Sequence, residues 1–459
     1  MNNFQIRSIF QILMFAAGAT LLASCAREYE TVFSESADAR LQKALTAYND
    51  KLKSAPYGWK AALYTPTGAG YFYYLDFNDE GVVTMVSDFN VGSASTPMAT
   101  SWTIKAFQQP TLSFDEYSYI HLPADPDGGV NGGNNGEGLL SDFEFIFVKT
   151  TDDSVVMKGL KHDTEMVFVQ ATQAEADDIL NAQIKTVLQE TLDYVVANKG
   201  LRLRLPDDTE VPIAIDVAHK LVGTQHLSAS REIIETVTTA FTFSLTGIHL
   251  KNSFLLGGFT IADLVWDGAD GVYRVQLDKP TDLYDDESPL FFYPGKTLYS
   301  VFEKDYAGIV IPENPGVNRL PGQSDAFVQA YEQASQELLT GIYAVTLHDM
   351  GLGVDLANQV VLFDVIIGRT SASGVESRYL ARYAFTYTLD ADGVLDLTPD
   401  SANENGSLIS FEMRTMLQHL EEDTFKLEYI AGGFQLIGGF YSQDDPDFYF
   451  SGYLNPRQL

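Results

Sequence analysis

A β-hairpin near the start of the chain indicates the type of fold that this sequence can adopt. Residues 71–77 read YFYYLDF, residues 82–86 read VVTMV, and NDEG at 78–81 separates them. Aromatic and β-branched residues favour strands, and an acidic residue followed by glycine favours a tight turn. Because 36 glycines and an aromatic content of 12% extend this pattern along the chain, we expect a sheet-rich protein. Further strands are predicted at 59–64, 101–107, 118–122, 142–149, 154–159 and 165–170.

Three predicted helices interrupt this strand pattern. The first follows Ser36, a good N-terminal cap, and the second opens on the capping box TQAE at 172–175. The third begins at Ser324. The predicted fold class is therefore α+β, with mainly antiparallel β-sheet meanders and three helices in two or three modules. Apolar residues at helical spacing define one face of the first two helices, at Leu41, Leu45, Tyr48, Leu52, Leu180, Ile184, Val187, Leu188 and Val195. In the third helix we expect Phe327, Tyr331, Ala334 and Leu338 to be buried.

Each predicted helix is followed by a glycine and then a strand, at Gly58, Gly200 and Gly341. The intervals between these glycines are nearly equal, but the turn motifs that follow them recur at unequal distances. Independent use of common helix-stop and hairpin chemistry explains this pattern, and three equivalent modules are the alternative. The predicted organisation is a signal peptide at 1–24, a tether at 25–35, a helix-plus-β domain at 36–171, a similar middle region at 172–310, a proline-rich linker at 311–322 and a C-terminal region at 323–459.

The only cysteine, Cys25, follows an apolar stretch, IFQILMFAAGATLL at 9–22. That stretch has the length of a signal-peptide core and is shorter than the roughly 20 residues that cross a bilayer. The residues Leu22, Ala23, Ser24 and Cys25 resemble the bacterial lipobox, in which the cysteine is acylated and becomes the mature N-terminus. Multiple acyl chains give stable anchoring, so Cys25 is the predicted lipid attachment site and the membrane is the predicted partner of the N-terminus.

The residues after Cys25 indicate in which membrane such an anchor would be inserted. Ala26 occupies the position where aspartate would signal retention in the inner membrane, so we expect the outer membrane. Glu28 and Glu30 resemble surface-export signals, although Arg27 interrupts that pattern. Exposure at the cell surface is therefore an extension of the prediction.

The overall charge narrows the possible partners. The formal net charge is -33, from 62 acidic and 29 basic residues. Nucleic acids and anionic lipid surfaces are bound by basic footprints, so we predict no nucleic-acid partner. A single cysteine also excludes an intramolecular disulfide and zinc or iron–sulfur sites built on cysteine.

The run FSESADARLQKALTAYNDKLKSAPYGW at 33–59, followed by a tyrosine-rich strand and an acidic-glycine turn, carries a family resemblance. It resembles the domain of unknown function 4302 family, and FTFSLTGIHL with FTIADLVWDG at 241–268 resembles that family's second half. The resemblance implies an envelope lipoprotein of gut Bacteroidetes, often found near outer-membrane nutrient-uptake systems. It implies no known reaction.

Motifs of catalysis and metal binding are missing from the sequence, so we predict no catalytic residues, no cofactor and no metal site. The seven histidines do not form HExxH, and no GxSxG, GxxxxGK[ST] or GxGxxG motif occurs. The glycine-rich segment at 125–138, DPDGGVNGGNNGEG, suggests a calcium loop but lacks the EF-hand glutamate, so a flexible connection is preferred. Acidic pairs are abundant, but only a measured separation in a cleft would indicate a glycosidase.

Aromatic strands offer the last candidate for binding. Residues 71–74 and 448–450 place rings on both faces of a strand, and core packing on both faces is preferred over stacking on a ligand. We therefore expect a non-catalytic binding or accessory lipoprotein, with an outer-membrane transporter and a glycan or peptide as possible partners. A carboxylate-based hydrolase and a structural or adhesive surface protein are the alternatives.

Overall fold

The computed structural model describes residues 35–107, 109–228, 234–286, 290–291, 306–317, 319–355, 358–390 and 392–456. In these ranges the strands form three closed barrels of eight strands each, and all strand pairs are antiparallel. The predicted β-rich α+β class with antiparallel pairing is confirmed. Closure of the meanders into barrels was not foreseen, because strand alternation alone does not specify which strands meet at the ends of a sheet.

The first barrel follows a helix, α1 (Ala37–Lys53), which Ser36 caps by accepting a hydrogen bond from the Ala39 N–H. Its core includes Trp59, whose indole N–H donates to the Leu52 carbonyl at the end of α1 (2.7 Å). The helix is thereby fixed to the barrel. The strands are β1 (Trp59–Tyr64), β2 (Gly70–Phe77), β3 (Val82–Ser87), β4 (Met98–Ala106), β5 (Pro110–Phe114), β6 (Glu144–Thr150), β7 (Ser154–Gly159) and β8 (Glu165–Gln170), with a 3-10 helix (Tyr119–Ala124) and α2 (Gly128–Asn131) between β5 and β6.

The second barrel follows two helices, α3 (Gln173–Leu180) and α4 (Gln183–Ala197). Tyr194 on α4 donates its hydroxyl to the Leu283 carbonyl (3.1 Å), which attaches the helix to the closing strands. The strands are β9 (Leu201–Arg204), β10 (Glu210–Asp216), β11 (Leu221–Leu227), β12 (Ile234–Ser244), β13 (Gly247–Leu256), β14 (Phe259–Asp267), β15 (Val272–Gln276) and β16 (Pro280–Asp285).

The third barrel has a different chain order. Its first strand, β17 (Tyr306–Ile311), precedes the helix α5 (Asp325–Thr340) and pairs with both β18 and β24. The predicted linker at 311–322 therefore connects two elements of one barrel. The other elements are β18 (Thr346–Asp355), β19 (Val360–Thr370), β20 (Glu376–Leu389), β21 (Val394–Ala402), α6 (Glu404–Leu408), α7 (Arg414–Glu422), β22 (Thr424–Gly432), β23 (Gln435–Ser442) and β24 (Tyr449–Pro456).

The predicted number of three helices is wrong. The described residues contain seven α-helices and a 3-10 helix. The second predicted helix is divided at Ala182, whose positive φ of 66° is incompatible with a continuous right-handed helix. The third matches its prediction, since Ser324 accepts from the Phe327 N–H and the predicted apolar residues of α5 are buried.

One predicted strand is also wrong. Residues 118–122 belong to the 3-10 helix, where Ser118 is the N-cap and its N–H donates to Nδ1 of His121 (3.2 Å). Pro123 follows within the same element and cannot donate to a strand ladder. The alternation that suggested a strand is therefore overridden by local capping.

The first two barrels share a buried junction. Asp88, which follows β3, accepts hydrogen bonds from the N–H groups of Phe72 and Phe243, both at 2.9 Å. Its carboxylate also lies 3.4 Å from the ammonium of Lys220, and both side chains are almost fully buried. Phe72 and Tyr74 of β2 belong to the hydrophobic core of the second barrel. A charged group buried in this way is stable only when it is paired and hydrogen-bonded.

None of the helices in the described ranges is long and apolar enough to cross a membrane.

Candidate functional site

A cleft of about 330 Å³ lies between the second and third barrels. Its floor is formed by β10 around Ala214, and one wall is the end of α4 with the start of β9, around Lys199 and Gly200. The opposite wall is the turn between β22 and β23, around Gly432, together with Phe291. Its volume is at the lower end of the range of small-ligand sites.

The cleft is open because the closing strand of the second barrel is short. β9 pairs with β10 only as far as Arg202, opposite Pro212, whereas β10 continues to Asp216 in its pairing with β11. The chain before β9 is held toward β16 instead. The Gly200 N–H donates to the Asp285 carboxylate (2.7 Å), and the Gly200 carbonyl accepts from the Asp286 N–H (3.3 Å). β10 and the chain before β9 therefore separate.

The opposite wall is attached to the second barrel by a hydrogen bond and by close packing at glycines. The Gly432 N–H donates to Oε1 of Gln225 (3.1 Å), and the next glycine, Gly433, has a φ of 76°. Phe434 packs over Gly223, where a Cβ would lie 2.7 Å from its ring. A Cβ at Gly223 would collide with the Phe434 ring, so glycine at 223 allows the turn to approach β11 closely, and the positive φ at Gly433 favours glycine there.

A charged network lies beside the cleft on the outer face of the same barrel. Arg202 pairs with Glu210 (3.3 Å) and with Asp286, and it donates to the Leu290 carbonyl (3.0 Å). Its guanidinium lies 5.2 Å from the centre of the Phe291 ring. These contacts use several donors of the Arg202 side chain and hold Phe291 at the wall of the cleft.

The described lining of the cleft contains few polar side chains. It consists of aliphatic, proline, glycine and aromatic residues, with Asn198, Lys199 and Arg202 as the polar side chains. Lys199 is exposed at the rim. Within this described lining there is no carboxylate, histidine or hydroxyl that could serve as an acid, base or nucleophile.

A second cluster of titratable groups lies in the third barrel. His348 is buried, with Nδ1 3.0 Å from Glu313 and Nε2 2.9 Å from Glu376. The hydrogen bond from His348, and a second one from Arg378, lower the pKa of the Glu376 carboxyl. Because the imidazole lies between the two carboxylates and hydrogen-bonds to both, this arrangement differs from a pair of hydrolytic acids that face each other across a cleft.

The residues singled out from the sequence do not converge on the cleft. Cys25, the predicted lipid attachment site, lies outside the described residues. The segment 125–138 carries α2, and its Asp125 and Asp127 side chains accept backbone hydrogen bonds from residues two positions later. No group of three potential metal ligands occurs in the part of the chain that the structure describes.

The aromatic strands are part of the barrel cores. Tyr71, Phe72, Tyr73 and Tyr74 are all buried, because Tyr71 and Tyr73 face the first barrel's core while Phe72 and Tyr74 face the second barrel. Phe448 and Phe450 are likewise buried in the third barrel. Packing on both faces, the preferred interpretation, agrees with this arrangement for 71–74; in 448–450, Tyr449 on the other face is half-buried and stacks on Tyr441.

Sequence reasoning missed the cleft because its residues are individually ordinary. A glycine pair such as that at 432–433 is typical of a turn, but it gives no information about the distant strand that the turn contacts. The closeness of Gly432 and Gln225 depends on how two barrels pack, and the shortness of β9 depends on where Gly200 is held. Neither property has a local sequence pattern.

A protein-family model matches about half of the chain. The family model described as "Domain of unknown function (DUF4302)" matches residues 29–268. This segment contains α1, the whole first barrel and the second barrel as far as the end of β14. A search of curated proteins finds no match.

Proposed function

The chain belongs to the DUF4302 family, and on that premise we propose that it is an outer-membrane lipoprotein, anchored through Cys25, that acts as a non-catalytic binding or accessory component near a nutrient-uptake system. The proposed binding surface is the cleft between the second and third barrels. The family description names no reaction, so the proposal depends on the residues of this chain.

One observation carries the binding role. The cleft combines a preformed volume of about 330 Å³ with a lining of mostly aliphatic, glycine and aromatic residues, whose accessible surface is polar and apolar in nearly equal parts. Sites that bind ligands without transforming them have this composition, whereas catalytic sites bring together groups that exchange protons or form covalent bonds. The anchor is supported by the resemblance of residues 22–25 to a lipobox.

The anchor is tested by cell fractionation of the full-length protein and of the Cys25→Ala variant. We expect the protein in the outer-membrane fraction and the variant in the soluble fraction, with the same thermal unfolding curve. Protease treatment of whole cells then tests exposure at the surface. Normal membrane retention of the variant would contradict lipid anchoring at Cys25.

The binding role is tested by affinity capture of the full-length protein from gently solubilised membranes. We expect an outer-membrane transporter to be recovered with the protein, and less of it with Val195→Trp, which introduces a large ring at the cleft wall. Val196→Trp is the matched control, because Val196 is the next residue on α4 and is 72% exposed. Recovery of no transporter would contradict the accessory role.

A further inference from the structure

The side of β10 that faces the cleft carries an incomplete strand ladder. Beyond Pro212, residues 213–216 pair with β11 on one side but have no ladder partner on the β9 side among the described residues. Lys199 and Gly200 lie across the cleft, and neither makes a backbone hydrogen bond to β10 within the described ranges. As the described residues form it, the otherwise closed barrel therefore has a short open edge at β10, and the cleft lies along it.

An unpaired strand edge is a template for an extended chain. Its N–H and C=O groups can be satisfied by a peptide backbone that adds as a further strand. Four residues of β10 span about 13 Å at the rise of a β-strand, which is enough to pair with a short segment. Gly200, Gly432 and Gly433 carry no side chains that would keep a backbone away from this edge.

The charges at the cleft favour one end of such a peptide. Arg202 is paired with Glu210 and Asp286. The Lys199 ammonium is exposed and has no hydrogen bond or ion pair to any of the residues that the structure describes. In a chain with a net charge of -33, a cation that has no partner among the described residues favours a carboxylate at the cleft rim.

We propose that the cleft binds an extended peptide segment by β-strand addition to residues 213–216, with small or apolar side chains in the cleft and a carboxylate near Lys199. This inference rests on the proposed binding function and names its ligand class. The mixed polar and apolar lining provides contact area, and the open backbone edge provides the direction and register of binding.

The test uses a displayed library of random linear heptapeptides and the full-length protein in detergent. Enriched peptides are synthesised with single N-methyl groups, and their affinities are measured by fluorescence polarisation. Only alternate residues of a strand direct their N–H groups toward one neighbour. N-methylation at alternate positions should therefore weaken binding by about tenfold or more, and methylation at the positions between should have little effect.

Variants of the protein locate the site. Val195→Trp should weaken peptide binding by about tenfold, and Val196→Trp should leave it unchanged. Lys199→Glu should weaken the binding of peptides with an acidic end several-fold and leave the binding of their amidated forms unchanged. It should not change the melting temperature of the protein, because Lys199 is exposed. Failure to enrich any peptide, tolerance of N-methylation at every position, or equal binding by Val195→Trp would overturn the proposal.

The same experiments would also identify a ligand of a different class. If no peptide binds but a glycan on an array binds in a manner sensitive to Val195→Trp, strand addition is wrong and the binding role stands. If transporter capture fails while peptide binding shows the predicted pattern, the peptide site stands and the accessory role is wrong. The two proposals can therefore fail separately.

Discussion

The two junctions between barrels are built in opposite ways. At the first junction, Asp88 and Lys220 are buried together, and side chains of the first barrel enter the core of the second. At the second junction, the Gly432 N–H donates a hydrogen bond to the side-chain carbonyl of Gln225, and a cleft of about 330 Å³ remains beside it.

This difference indicates a division of roles. Shared burial of charges and rings makes the first two barrels one structural unit, since separating them would expose both together. At the second junction Leu227 and Ile234 of the second barrel pack against the core of the third, but the junction also leaves a surface that a ligand can occupy. The match of the family model to residues 29–268 spans the first junction and ends before the third barrel.

We expect the largest loss of unfolding free energy from Lys220→Met at the first junction. Burial lowers the pKa of the Lys220 ammonium and raises that of the Asp88 carboxyl, so neither charge is tolerated without the other. Removing one partner of a buried pair costs about 3–5 kcal/mol of unfolding free energy, measured by urea denaturation. The double variant with Asp88→Asn should recover part of this loss. A loss near zero for the single variant would show that the pair does not hold the junction.

A smaller effect is expected from Gly70→Ala, which tests how closely the first two barrels approach. A Cβ at Gly70 would collide with the Phe241 carbonyl of the second barrel and lie 2.8 Å from the Tyr64 ring. We expect a loss of about 1–3 kcal/mol from this overpacking. Gly268→Ala is the control, since its nearest contact would be an ordinary 3.5 Å. Equal losses of unfolding free energy for the two variants would mean that the junction can shift to accommodate the added methyl group at little cost.

Gly433→Ala should have a lesser effect at the second junction. Its φ of 76° makes alanine unfavourable by about 1 kcal/mol, and a Cβ would lie 3.2 Å from that of Ala214. Gly258→Ala, at a φ of 86° with no atom within 4 Å of its Cβ, measures the backbone cost alone. We expect the two thermal unfolding shifts to be similar. A much larger shift for Gly433→Ala would show that the second junction is packed as tightly as the first.

The sequence predicted local features of this fold and missed the long-range ones. The caps at Ser36, Thr172 and Ser324 were identified because each depends on residues three positions apart. The Asp88–Lys220 pair joins residues in different barrels, and no pattern near Asp88 distinguishes it from an acidic residue in a solvated turn. The candidate cleft depends in the same way on contacts between barrels, so only its separate turns and strands could be predicted.

The smallest effect is expected away from both junctions, at the ion pair between Glu337 of α5 and Arg414 of α7 in the third barrel. Arg414 donates to Oε1 of Glu337 at 2.7 Å, and the hydrogen bonds from Arg414 and then Gln333 lower the pKa of the Glu337 carboxyl to about 2. Because the pair is partly exposed, solvent screening limits its contribution at pH 7 to about 1 kcal/mol or less.

The pH dependence of Glu337→Gln separates this pair from the buried pair at the first junction. A carboxyl with a lowered pKa stabilises the folded state above its unfolded value of 4.5, and this stabilisation is lost as the pH falls toward about 2. The small difference between wild type and Glu337→Gln should therefore disappear over that interval in urea denaturation. A difference that exceeds that of Gly433→Ala, or that persists unchanged at pH 2, would mean that an exposed pair stabilises this protein more than the contacts of its second junction.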